Sequence, residues 1–351
     1  MEIRMTPLLD TIKLLDISDE EYFGSGYAEY ISNSRLKLIN PDQGGSPQLY
    51  KQGLGSLGTS DSLIRGSAVH CIVLQPEDFV IAPLTTRPTA KLGMLADELY
   101  PKYCEKNSVT TEEIIEASNK VDYYKGKITP ERVTDILQKC TPYFEGRRDW
   151  ITRSRDTRTP IFLDGKSWDV VTQCIDSVSK DSAIQKLLHP KGLTMDPIVV
   201  NEGTLLMDVK ATVDGTEVTL KLKAKLDSFI VDKEQNRIVL NDLKTTGHLL
   251  KDFGEFSFVN FHYSRQMAMY LWMLKLYVAK EYGLEHPEMY ANMMVVSTIP
   301  DYRSGIYKCN TEEIANGFRE FKRLLRMVAY CEVYGYDGSL GSDIDRSAFD
   351  L

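Results

Sequence analysis

The stretch Asn241-Asp242-Leu243-Lys244-Thr245-Thr246 sets an acid and a lysine two residues apart. Side chains alternate along a strand, so Asp242 and Lys244 share a face if the stretch is extended. Upstream, in LKLKAKLDSFIV, Leu220, Leu222, Ala224 and Leu226 fall on one face, and Lys221, Lys223, Lys225 and Asp227 on the other. Pairing Ile230 with Val239 across a hairpin puts Asp227 directly opposite Asp242. Like charges so placed destabilise a sheet, and two such carboxylates want a cation between them. Lys244 and Lys225 add positive charge at the rim. Mg²⁺ prefers oxygen ligands and keeps several waters, so one or two carboxylates hold it. Such an ion polarises a phosphoryl oxygen and lowers the pKa of a bound water. A nearby lysine can orient that water and offset growing negative charge. This is the chemistry of metal-assisted phosphodiester hydrolysis. A blander reading stays open beside it: two solvated acids next to hairpin turns, since D-x-K triplets are common.

The elements that must position these groups are legible in outline. Residues 203–246 are rich in β-branched residues and alternate, with one hairpin turn at Asp214-Gly215 and a longer one from Asp232 to Asn236. Helical patterns are predicted at 31–40, 63–75, 168–188, 258–283 and 311–334, the last capped by Thr311, and a buried strand at 291–299. Residues 1–30 are acidic and aromatic without a clear period. On the 258–283 helix, Tyr263, Gln266 and Tyr270 are spaced i, i+3 and i+7 and share a face. The tyrosines fit a core role as well as a site, whereas a glutamine on a packed helix needs a partner. The order of helices, strand cluster, helix, strand, helix predicts an α/β (α+β) chain. We expect a single domain over 1–335, with 85–160 a mainly helical elaboration, and a polar tail at 336–351.

Bulk properties narrow the function. The chain has 351 residues, 42% hydrophobic and 26% charged, enough for a core that needs no disulfide or metal. Its six cysteines form no CxxC pair, which argues against zinc-finger and iron–sulfur sites; reduced thiols imply a cytoplasmic protein. A secretion signal and a membrane-spanning stretch are both missing from the pattern. A formal net charge of −8 counts against nonspecific coating of nucleic acid, but not against an enzyme with a local basic groove. GLGSLG (53–58) matches GxGxxG without a preceding strand and reads as a loop. Arg65 and Lys51 are candidate phosphate contacts, with a solvated-surface reading equally open.

An acid on one strand followed by D-x-K on the next resembles the PD-(D/E)XK nuclease superfamily. KAKLD (223–227) stands where that family often has a proline and its first acid, with Leu226 in place of the proline, and NDLKTT carries the second motif. GSAVHCIVLQPEDF (66–79) is similar to the helix that bears a metal-binding histidine in the RecB-like and RecE-like branches. YSRQMAMY (263–270) is similar to their Y-x-x-Q-x-x-x-Y helix. Residues 30–335 follow the RecE-type exodeoxyribonuclease order, and Glu202 sits where many members carry an acid. The resemblance implies a restriction-endonuclease-like core: a central mixed β-sheet flanked by helices, with a helical insertion. It implies metal ligation by His70, Asp227, Asp242 and the Leu243 carbonyl, with Mg²⁺ as cofactor and Mn²⁺ as a substitute. Lys244 would position the attacking water, and Gln266 and Tyr263 would contact the substrate or support the site, beside Arg65 as the candidate phosphate contact named above. The implied activity is 5′→3′ exonuclease action on double-stranded DNA ends in recombination or repair, of phage or mobile-element type. The implied partners are a homo-oligomeric ring and a single-strand annealing protein, in the cytoplasm (the host's, for a phage protein). The alternatives are a structure- or site-specific endonuclease of the same superfamily and an inactive nuclease-fold binding module.

Overall fold

A computed structural model describes residues 2–53, 60–124, 127–190 and 197–337. Most of the GLGSLG stretch and residues 338–351 of the polar tail lie outside the described residues. Eight strands are present among those described: β1 (Ile3–Leu15), β2 (Phe79–Pro83), β3 (Thr159–Leu163), β4 (Ile198–Val213), β5 (Thr216–Asp232), β6 (Arg237–Thr246), β7 (Glu288–Ser297) and β8 (Ser304–Lys308). The helices are α1 (Asp19–Phe23), α2 (Asn33–Leu36), α3 (Pro47–Gln52), α4 (Asp61–Leu74), α5 (Ala90–Lys106), α6 (Thr111–Lys120), α7 (Pro130–Arg153), α8 (Gly165–Lys180), α9 (Ser182–Leu188), α10 (Tyr263–Tyr282) and α11 (Thr311–Tyr334). The chain divides into two compact units: Met1–Gly55, Asp181–Val295 and Ser304–Leu351 form one, and Ser56–Lys180 with Val296–Arg303 the other.

The first unit is built on a six-stranded sheet in the order β1-β4-β5-β6-β7-β8. The successive pairs β1–β4, β4–β5 and β5–β6 are antiparallel. Glu288 N bonds Asn236 O at 2.8 Å, and Asn292 Nδ2 bonds Asn241 Oδ1 at 3.1 Å; the numbers advance together, so β7 runs parallel to β6. The sheet is therefore mixed and mostly antiparallel, flanked by helices, as the α/β expectation requires. Asp214 and Gly215 both adopt positive φ, 45° and 88°, the backbone a tight two-residue hairpin demands. The β5–β6 turn is held by Asp232, which accepts from Gln235 N at 3.0 Å and pairs with Arg237 at 3.0 Å. Leu220, Leu222, Ala224 and Leu226 are all at most 3% exposed and join the core formed with Met267, Leu274, Phe321 and Leu324 of α10 and α11. Each such large side chain contributes about 1.5–3 kcal/mol by leaving water. The second unit pairs β2 and β3 in parallel and packs α5, α6 and α7 around Leu95, Leu99, Tyr143 and Phe144.

Several local expectations are corrected. Residues 1–30, read as aperiodic, contain the edge strand β1. Its pairing with β4 shifts between Leu8 and Lys13, which breaks the alternation that would have revealed it. The helix expected over 168–188 is two, because the Asp181 carboxylate caps a new start by accepting from Ala183 N and Ile184 N. The helix at 31–40 is the single turn α2 followed by a 3₁₀ turn. The helix expected from 258 begins at Tyr263, after a π-type turn over Gly254–Phe258. Asn310, not Thr311, caps α11, completing a capping box with Glu313.

Candidate active site

Register brings the acids together. Ile230 pairs with Val239 and Ser228 with Asn241, so Asp227 and Asp242 come next along β5 and β6. On the other side, Asn201 pairs with Ser228 and Gly203 with Leu226. Glu202 lies between those pairs, opposite Asp227, with a left-handed φ of 55°. Carboxylate oxygens of Glu202 and Asp227 lie within 4.8 Å. Three acids from three adjacent strands thus form one row across the sheet.

Each acid is held by a specific partner. Asp227 Oδ2 accepts from the Leu243 amide at 2.7 Å. Asp242, only 1% exposed, accepts from Gln266 Nε2 at 2.8 Å through Oδ1 and pairs with Lys244 Nζ at 2.6 Å through Oδ2. Lys244 also reaches the Leu243 carbonyl at 3.4 Å and sits 5.4 Å from the Tyr263 ring centroid. Glu202 pairs with Lys225 at 3.0 Å, and Lys225 also holds Asp19 of α1. Gln266 is further bonded to the Tyr270 hydroxyl. One face of α10 therefore presents Tyr263, Gln266 and Tyr270 to the end of β6, as their spacing predicts.

Crowded, half-buried acids resist ionising. Burial raises the Glu202 carboxyl, with Asp227 adding to the effect, up to about 7. Burial likewise raises Asp227, against the pull of Lys244. For Lys244, burial alone would lower the ammonium, but Asp242 and Asp227 outweigh it and hold the pKa above the usual lysine range. The row has more negative charge than its two lysines offset, and its donors are hard oxygens, the set that suits Mg²⁺ or Mn²⁺.

Of the expected site residues, Asp227, Asp242, Leu243, Lys244, Gln266 and Tyr263 are brought together in the first unit. His70 and Arg65 belong to α4 of the second unit. His70 is half-buried there, and Arg65 Nε donates to Ser167 Oγ at 3.1 Å, tying α4 to α8. Lys51 faces Asp337 at 3.9 Å with both side chains exposed, the surface reading. The resemblance marks Glu202 as standing where many members carry an acid, without counting it among the expected ligands. Asp19 carries no sequence signal; it arrives because Ile31 forms a parallel bridge with Leu222, laying the preceding segment along β5.

No family model matches the chain, and no curated protein matches it by sequence. Among solved structures it is similar to a "putative exonuclease" from Eubacterium rectale, with a TM-score of 0.43 and 12% identity over 95% of this chain and 92% of that one. It is also similar to Scheffersomyces stipitis Rai1, solved in complex with (3′-NADP)+ and calcium ion, with a TM-score of 0.21 and 12% identity over 95% of this chain and 84% of that one. At these scores neither likeness carries an argument about activity, which rests on the side chains of the row.

Proposed function

We propose that the chain is a divalent-metal-dependent deoxyribonuclease, an exonuclease that hydrolyses phosphodiester bonds 5′→3′ from double-stranded DNA ends. The observation that carries this reading is the row Glu202, Asp227, Asp242 with Lys244 at its end. Asp227 and Asp242 would hold the ion, with Glu202 and the Leu243 carbonyl as further oxygen donors. When bound, it supplies a polarised phosphoryl oxygen and an acidified water. The chain's own residues do the rest. Gln266 fixes the Asp242 carboxylate by a hydrogen bond to Oδ1. Lys244 keeps a permanent charge beside the row, where it can orient water and offset developing negative charge. The Tyr263 ring limits where that ammonium can move. The assignment of His70 as a ligand, and the direction of attack, come from the sequence resemblance.

The test is incubation of linear and covalently closed plasmid with Mg²⁺, beside an Asp242→Ala chain. Loss of the linear form only, abolished in the variant, is expected. Cleavage of closed circles would move the reading to an endonuclease. Activity on neither substrate, or equal activity in the variant, would overturn it. A His70→Ala chain that folds but loses metal-dependent cleavage would support the histidine assignment, and full activity would remove it.

A further inference from the structure

The segment joining β6 to α10 exposes more apolar surface than a connecting loop needs. Leu249 is 41%, Phe256 46%, Val259 64% and Phe261 56% exposed. Their neighbours Phe253, Ser257 and Phe258 are buried. The π-type turn, closed by Val259 N on Gly254 O at 3.4 Å, buries Phe253, Ser257 and Phe258 and leaves Phe256, Val259 and Phe261 outward. The outward rings are not loosely held. Ser257 and Thr246 share a hydrogen bond of 3.0 Å, and Thr246 Oγ1 also accepts from His248 N at 3.2 Å, so the segment is fastened to the end of the strand bearing Asp242 and Lys244. Asn260 Nδ2 donates to Phe256 O at 3.0 Å. The His248 ring is stacked on Phe256 at 5.4 Å and 25°.

Phe261 joins this exposed run to the carboxylate row. Phe261 lies 5.6 Å from the Tyr263 ring, and Tyr263 lies under Lys244, which pairs with Asp242. A protein docked on these rings would cover the row. A nucleic acid strand would not, because its backbone and bases point different ways: phosphate to the acids and cation, bases to the rings. Stacking on fixed aromatic side chains is tolerant of sequence, since every base has a π face, but requires bases out of the duplex.

We propose that His248, Phe256 and Phe261 form a stacking platform for unpaired bases of the DNA strand whose backbone meets the carboxylate row. This rests on the nuclease reading, which brings a strand to the adjoining acids. It adds to it that the substrate is gripped by single-stranded bases beside the cleavage point.

The experiment measures binding by fluorescence anisotropy with Ca²⁺ in place of Mg²⁺, strand integrity being checked on a gel. Wild type and a Phe256→Ala, Phe261→Ala double variant are compared on a labelled single strand, an abasic strand of the same length, and a duplex. Both substituted residues are exposed, and matching thermal melts establish that the variant folds. The variant should bind the base-bearing strand about tenfold more weakly and the abasic strand as wild type does. A 2-aminopurine in the strand should be quenched by wild type and not by the variant. Equal losses on base-bearing and abasic strands would overturn the proposal, as would no loss at all in a wild type that cleaves linear DNA. A variant that binds strands normally but changes oligomeric state in sedimentation would make the rings an interface between copies, also overturning it. A wild type that neither binds nor cleaves any of these substrates would remove the nuclease reading and the platform together.

Discussion

Asp227 is where the conflict between folding and function is sharpest. Its carboxylate is crowded by burial, and its neighbours across the sheet on both sides are acids. Asp227→Asn keeps an oxygen to accept the Leu243 amide and deletes the charge. We expect this variant to melt higher than wild type in EDTA, and to lose the rise in melting temperature that Mg²⁺ gives wild type. A cation held 100-fold above its dissociation constant stabilises by about 2.7 kcal/mol, several degrees in a melt, so differential scanning with and without Mg²⁺ decides it. A metal-induced shift of equal size in both chains would remove Asp227 from the ligand set. Lys223 gives a second residue-scale test. Its ammonium donates to the carbonyls of Tyr22 and Tyr27, with no carboxylate partner among the described residues, and burial, aided by Arg35, pulls its pKa down to about 8 from 10.5. Below about pH 8 both folded and unfolded chains carry the proton and the cost of burying it is fully present. Between about 8 and 10.5 the folded chain has released a proton that the unfolded chain keeps, so this group's contribution to stability rises with pH. Any stability advantage of Lys223→Met over wild type should therefore shrink as pH rises through that window. A pH-independent difference would mean the ammonium stays solvated.

At the scale of elements, α10 must bring Gln266 to the end of β6, and its position is set from behind. A Cβ on Gly317 of α11 would lie 2.1 Å from the Ser264 carbonyl oxygen and 2.7 Å from the Arg265 amide nitrogen, so the two helices meet backbone to backbone there. Gly317→Ala must push α10 away or unwind its start. The expected cost is about 1–3 kcal/mol, as for overpacking, read as a lower denaturant midpoint. Nuclease activity should fall further than the loss of folded protein explains, because Gln266 sits two residues from the clash. A midpoint unchanged from wild type would mean the helices can slide apart freely. The same elements show what the sequence discloses. The β5–β6 register, assumed at the sequence level from the turn between Asp232 and Asn236, is the one the strands adopt, Ile230 on Val239. The face of α10 followed from a period of 3.6. The edge strand β1 did not, since a register shift and one solvent-facing side erase its period. The left-handed φ at Glu202 did not either: a lone left-handed residue inside a strand has no composition signal unless it is glycine. Nor could local pattern bring Asp19 to Lys225, a contact made across more than two hundred residues by the Ile31–Leu222 bridge.

For the whole molecule, the problem is a net charge of −8 on a chain proposed to grip a polyanion. Two kinds of negative charge oppose DNA, and salt separates them. Charge spread over exposed faces is screened beyond about 8 Å at 0.15 M salt. The row of half-buried Glu202 and Asp227 and buried Asp242 is screened far less, because little solvent reaches between its oxygens. A cation bound in the row should therefore aid DNA binding even after salt has muted the surface. Replacing EDTA with Ca²⁺ should tighten binding of a duplex oligonucleotide about tenfold, equivalent to 1.4 kcal/mol, and most of that gain should persist from low to physiological NaCl. The Asp227→Asn chain should show a much smaller gain. If the calcium effect instead disappears with added NaCl and is equal in both chains, the ion is only screening the acidic exterior, and the row does not hold the cation that the proposed chemistry requires.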